Sequence, residues 1–300
     1  MSQNLVSQFV NMETWNLFRK RFKSPVTEAS YWSDIREFCH IVGKPFEKAD
    51  GEDVKMYYER MTGRVERREI SSITLTKKFR ELHSFAAFSS EASLSSDASG
   101  NAGHDCFYPY LRNMVKESPL ADSVPVEHMD RLLRAASDDL MAYTILTLMY
   151  RAGLTSTEIS DLRGEKDFIE YRDGIYASPA GRKDPCFIPE DAWKILEEYM
   201  RERCVHDTLF YNRSGRPLNT MYISRMMKKY CTQAGIPPYS AQDVRNSCAF
   251  NLFSYGATDE QTARQMGRTK QQIRRYRGAG YRQNLQKHAA DLVKIRIEKP

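Results

Sequence analysis

Residues 89–104 read SSEASLSSDASGNAGH, a run of Ser, Ala and Gly in which Leu94 is the only large apolar side chain. Such a stretch has too little apolar surface to pack as part of a core, so it reads as a linker. A linker in the first third of the chain means two cores rather than one. At 300 residues the chain is long enough for two ordinary domains. The division read from the sequence is residues 1–94, a linker at 95–106, and residues 107–300.

The two parts carry different periods. The first reads as helices throughout. Leu5, Phe9, Trp15, Leu17, Phe18 and Phe22 form an apolar face that ends near Ser24-Pro25, and Pro25 suits the first turn of the next helix. Tyr31, Ile35, Phe38, Ile41 and Val42 recur at helical spacing before Gly43 and Pro45 close that helix. Third and fourth helices are expected over Asp50–Met61 and Ser72–Phe88, the latter with Ile73, Leu75, Phe79, Leu82, Phe85, Ala86 and Phe88 as its stripe.

The second part opens with helices over Val126–Ala136 and Leu140–Tyr150, and a further helix begins near Ser156. The period then changes. Phe168–Tyr171, the turn Arg172-Asp173-Gly174 and Ile175–Ala177 read as a hairpin, with Cys186–Ile188 as a third short strand before Pro189. Helical spacing returns over 191–203, 220–234, 241–255, 259–266 and 285–297. The expected fold class is mainly α, with a small antiparallel sheet in the second domain.

Composition excludes several classes. With 41% hydrophobic and 28% charged residues, the chain has the balance of a folded, water-facing protein. No run of apolar residues is long enough to cross a bilayer. The stretch MSQNLVSQFVNMETW is not built like a signal peptide. The expected location is therefore the cytoplasm, with no membrane partner. Six scattered cysteines include no CxxC pair, so no zinc site, other metal or cofactor is expected. The net charge of +6 is modest, but its distribution is uneven. From Arg264 to the end there are eleven basic residues and two acidic ones, the footprint expected opposite a polyanion.

Several blocks, in this order, resemble the tyrosine recombinase (phage integrase) family. They are SSITLTKKFRELHSFAAF at 71–88, VPVEHMDRLLRAA at 124–136, RAGLTSTEISDL at 151–162, the hairpin, SAQDVRNSCAF at 240–250 and QMGRTKQQIRRY at 265–276. The resemblance implies a helical, SAM-like core-binding domain over 1–94 and a catalytic-type domain over 107–300. It also implies double-stranded DNA as the partner. In the family reaction a tyrosine hydroxyl attacks a phosphate without metal, two arginines hold the phosphoryl oxygens, and a hairpin lysine protonates the leaving oxygen. Fixed, forked donors suit charge spread over phosphoryl oxygens.

Carried over residue by residue, the resemblance puts Thr155 where the first arginine belongs. Arg151, one turn earlier, is the candidate to reach over, or else a phosphate contact. Glu158 and Leu162 keep the pattern. In SPAGRKDPC, Lys183 is the candidate acid and Arg182 its basic neighbour. In Gln242-Asp243-Val244-Arg245, Arg245 matches the second arginine and Gln242 replaces a histidine. Arg245 sits among Val244, Cys248, Phe250, Leu252 and Phe253, where it needs either a phosphate or a buried salt bridge. Arg268 replaces a histidine or tryptophan donor. Tyr276 is the candidate nucleophile, with Tyr281 as fallback. Arg274, Arg275 and Arg277 flank Tyr276 and, with Lys77 and Lys78, are expected to contact DNA.

Loss of one preorganised donor lowers a rate by roughly 10²–10³, and loss of an acid–base group by about 10²–10⁴. Thr155 and Gln242 together therefore suggest a DNA-binding protein that is impaired in chemistry, a regulator or architectural binder associated with the nucleoid. The alternative is an active site-specific recombinase that forms a 3′-phosphotyrosine through Tyr276. The resemblance implies assembly through a C-terminal helix, with a second copy or an active recombinase as partner; the face Leu285, Ala289, Leu292, Val293 and Ile295 suits that or packing within the same chain.

Overall fold

A computed structural model describes residues 9–94, 105–114 and 121–276. The chain divides into two compact units, residues 1–117 and 118–300.

The first unit is helical. α1 (Met12–Phe18) starts at Asn11, whose side chain accepts from the backbone N–H of Glu13 and Thr14. α2 (Pro25–Val42) begins on its proline and ends at Gly43, whose φ of 73° lets the chain leave the helix. α3 (Gly51–Glu66) is fixed by a capping box between Asp50 and Asp53. α4 (Ser72–Leu94) runs six residues beyond the stripe that ends at Phe88. Ser90 satisfies its hydroxyl on the Ala86 carbonyl, so the start of the Ser-rich run stays helical. Phe18, Phe38, Phe79 and Phe85 interleave with Trp15 and Tyr57 in the core, largely edge to face. Leu17 and Ile73, both placed on apolar faces by the sequence, are exposed.

A short helix, α5 (Tyr108–Asn113), also belongs to this unit. Phe107 is buried between Phe38, Phe46 and Phe79. Residues 107–114 thus complete the first core, whereas the sequence assigned them to the second domain. The Ser/Gly run marks where apolar side chains are scarce, and the chain returns to the first core after it.

The second unit opens with α6 (Val126–Ala135) and α7 (Leu140–Thr147). α7 continues as a π-helical turn at Leu148–Ala152 and stops at Gly153, φ 72°. α8 (Ser156–Asp161) follows. β1 (Phe168–Tyr171), β2 (Gly174–Ala177) and β3 (Cys186–Ile188) form an antiparallel sheet in the order β1-β2-β3. Register pairs Phe168 with Ala177 and Ile175 with Ile188. Next come α9 (Glu190–Glu202), α10 (Thr220–Gln233), α11 (Ala241–Ser254), α12 (Asp259–Met266) and α13 (Lys270–Ile273), with a 3-10 turn at Arg274–Tyr276. The mainly helical class with a small antiparallel sheet is as the sequence indicated.

The main core of this unit packs α6, α7 and the π turn against the sheet, α9 and α10. A smaller cluster of Cys248, Ala249, Phe253, Ala263, Met266, Ile273 and Tyr276 joins α11, α12 and α13. Among the described residues no helix is long and apolar enough to cross a membrane. No group of three His, Cys, Asp or Glu side chains there could hold a metal ion. All six cysteines are free. The helix expected at 285–297, together with Tyr281, Arg277 and Leu5, lies outside the described residues.

Candidate active site

α11 starts at Ser240, whose capping box with Asp243 satisfies its first backbone donors. One turn later Arg245 points into the protein and is 1% exposed. Its Nε donates to the Gly153 carbonyl at 2.8 Å, and its Nη2 donates to the Met266 carbonyl. Its Nη1 is buried and has no partner among the described residues. Burial holds the Arg245 pKa below the ordinary arginine value, and the nearby charges of Arg268 and Arg182 add to that. The buried salt bridge that the sequence left open is not what the guanidinium makes: its partners are carbonyls.

The loop between β2 and β3, residues 178–185, brings a second guanidinium inward. Gly181, Lys183 and Asp184 are exposed, yet the Arg182 side chain is 2% exposed. Its Nη1 donates to Glu158 Oε1 at 2.9 Å and its Nε to the Asp184 carbonyl at 3.0 Å. Its Nη2 donates to the carbonyls of Arg264, at 3.3 Å, and Gln265. Arg182 and Arg245 together therefore cap the successive carbonyls 264, 265 and 266 at the C-terminus of α12, where the helix dipole favours cations.

Thr155 is the N-cap of α8. Its hydroxyl accepts from the Glu158 N–H at 3.1 Å, and Glu158 Oε2 accepts from the Thr155 N–H at 2.7 Å. Thr155, the stand-in for an arginine, thus anchors a helix, and Glu158 joins that cap to Arg182. Gln265 was missed by the sequence reading. Its side chain bonds the backbone of Phe187 in both directions and the Ala152 carbonyl, tying α12 to β3 and the π turn.

Thr155, Glu158, Arg182 and Arg245 line a cleft of about 670 Å³, together with Lys183, Arg264, Arg268 and Lys270. Six basic residues and three acidic ones, Glu158, Asp184 and Glu260, face it. Glu260 is engaged by Arg264 and Lys270. Lys183 and Arg268 are exposed, and their side chains have no partner among the described residues. Arg268 also lines an adjoining cavity of about 650 Å³ with Gln242, Arg274, Arg275 and Tyr276. Gln242 donates to Asn246 Oδ1 at 2.7 Å. Tyr276 is 3% exposed, with Phe250 edge-on at 6.1 Å and the Arg275 guanidinium 5.7 Å from its ring. Its hydroxyl makes no hydrogen bond to the described residues.

Three expected residues hold partners within their own units. Arg151 does not reach over Thr155; it forms a two-point pair with Asp191, at 2.8 and 3.3 Å. Lys78, 13% exposed, bonds Asp34 and Glu37. Lys77 bonds Asp34 and Glu81. Both lysines are thus committed within the first unit, where the buried Asp34 carboxylate needs them.

Among protein families, the phage integrase family matches residues 123–281, more than half of the chain. The chain belongs to this family of tyrosine recombinases. No curated protein sequence matches it. Solved structures show the integrase fold at low identity. The XerH site-specific recombinase bound to a palindromic difH substrate is 17% identical with a TM-score of 0.70, covering 88% of this chain and 79% of that one. The Tn1549 transposon integrase in complex with transposon right end DNA is 13% identical with a TM-score of 0.68, covering 93% and 98%. A lambda integrase dimer bound to a COC′ core site is 13% identical with a TM-score of 0.66, covering 100% and 99%.

Proposed function

We propose that this integrase-family chain holds double-stranded DNA, with the cleft at Arg245 on a backbone phosphate, and cuts it poorly or not at all. The observation that carries this reading is the Arg245 guanidinium, 1% exposed, with an unpartnered Nη1 in a cleft lined by six basic residues. An unsatisfied buried donor is costly, and a phosphate oxygen at that point relieves it. The three recombinase and integrase structures above are DNA complexes, which supports the same partner. Thr155 makes a helix cap and Gln242 an amide bond to Asn246, and neither supplies a charged or titrating donor. Such a protein acts as a regulator or architectural binder on the nucleoid.

A second reading, active strand exchange, is favoured by Tyr276. It lines a cavity that shares Arg268 with the cleft, and its hydroxyl makes no hydrogen bond to the described residues. In both readings residues 285–297 serve as the contact to a second copy or to an active recombinase.

Anisotropy titration of a duplex against the full chain at several salt concentrations tests the binding. Tight binding that weakens steeply with salt is expected, because phosphate contacts release counterions. Failure to retain duplex at moderate salt would contradict it.

A further inference from the structure

We infer that Arg182 is the second guanidinium of the oxyanion cleft, supplied by the β2–β3 loop at the place where Thr155 offers none. The inference rests on the reading of the cleft as a phosphate site.

The first ground is position. The Glu158 carboxylate, held beside residue 155 by the cap of α8, has one oxygen on the Thr155 N–H and the other on Arg182 Nη1. The carboxylate at the start of α8 thus draws in an arginine from a different element. The second ground is burial. An arginine on an exposed loop ordinarily keeps its head group in water, but here that group is enclosed and bonded to three carbonyls and one carboxylate.

The third ground is charge. Arg182 and Arg245 sit on adjacent carbonyls of one helix end, and Arg268 is close enough to act on Arg245. Glu260 is engaged by Arg264 and Lys270, which leaves the half-buried Glu158 as the carboxylate paired with Arg182 in this group. Three guanidiniums and Lys183 against the carboxylates of Glu158 and Asp184 leave a positive excess for an anion. The fourth ground is open valence. Arg245 Nη1 has both hydrogens free, and Arg182 Nη1 has one hydrogen beyond the bond to Glu158. An oxygen anion between them takes donors from both without displacing Glu158.

The test follows guanidinium NMR signals of the full chain, labelled with ¹⁵N-arginine and assigned through backbone connectivity, during titration with inorganic phosphate. The Arg182 and Arg245 signals are expected to shift with one shared midpoint. R182K, which keeps the charge but loses the fork, is expected to weaken phosphate binding about tenfold. A shift of Arg245 with an unmoved Arg182, and unchanged phosphate affinity in R182K, would overturn the inference and reduce Arg182 to a loop anchor, while the phosphate reading stands. If neither signal moves, the phosphate reading itself fails. The wild-type titration decides the matter even where R182K does not fold.

Discussion

Arg245 carries two kinds of load. Two of its nitrogens satisfy carbonyls of Gly153 and Met266, and the third is buried without a partner among the described residues. Arg245→Met leaves both carbonyls without their guanidinium donor. It is expected to lower stability by about 1–3 kcal/mol, read from urea unfolding, and to weaken duplex binding. A variant of wild-type stability would show that water replaces the guanidinium. Lys78→Met is the contrasting case. Asp34 is buried and loses one of its two cations, so unfolding of the first unit should come at lower urea while duplex affinity holds. The burial of Arg245 was legible in its apolar neighbours. Its partners were not, because both carbonyls come from distant segments and carry no residue-type signal. Arg151 misled for a related reason. Spacing puts it one turn before Thr155, but the π turn at Leu148–Ala152 is wider than an α turn, and the side chain meets Asp191.

Elements hold the cleft together through their ends. Gly267 closes α12 with φ 58°, and a Cβ there would sit 3.2 Å from Arg182 Cζ. Gly267→Ala therefore strains the backbone and presses on the loop arginine. A loss of about 1–2 kcal/mol is expected from the left-handed backbone alone, seen as a lower thermal midpoint. Phe107→Ala should destabilise the first unit by about 3–5 kcal/mol, the usual range for a buried phenylalanine, because Phe107 fills the space between Phe38, Phe46 and Phe79. Were it to affect only the second unit, the assignment of 107–114 to the first core would be wrong. The hairpin was legible in its Asp-Gly turn, since Gly174 adopts φ 136° with the Phe187 ring where a Cβ would stand. α5 was not legible, because Tyr108–Asn113 is too short to show a period.

At the scale of the whole molecule, the block order of the sequence was enough for the family, which residues 123–281 match. The Ser/Gly run showed that there are two cores but not where the second begins, since the chain first returns to close the first. Much of the basic tail falls at 277–300, outside the described residues, and its charge belongs to the same expected phosphate footprint. The central claim is that this chain holds duplex DNA without efficient cleavage. The most direct measurement incubates the full chain with duplexes selected for binding from a random pool, then compares native and denaturing gels. The account predicts retention on the native gel and no protein–DNA adduct on the denaturing one. A covalent adduct that disappears in Tyr276→Phe would contradict it.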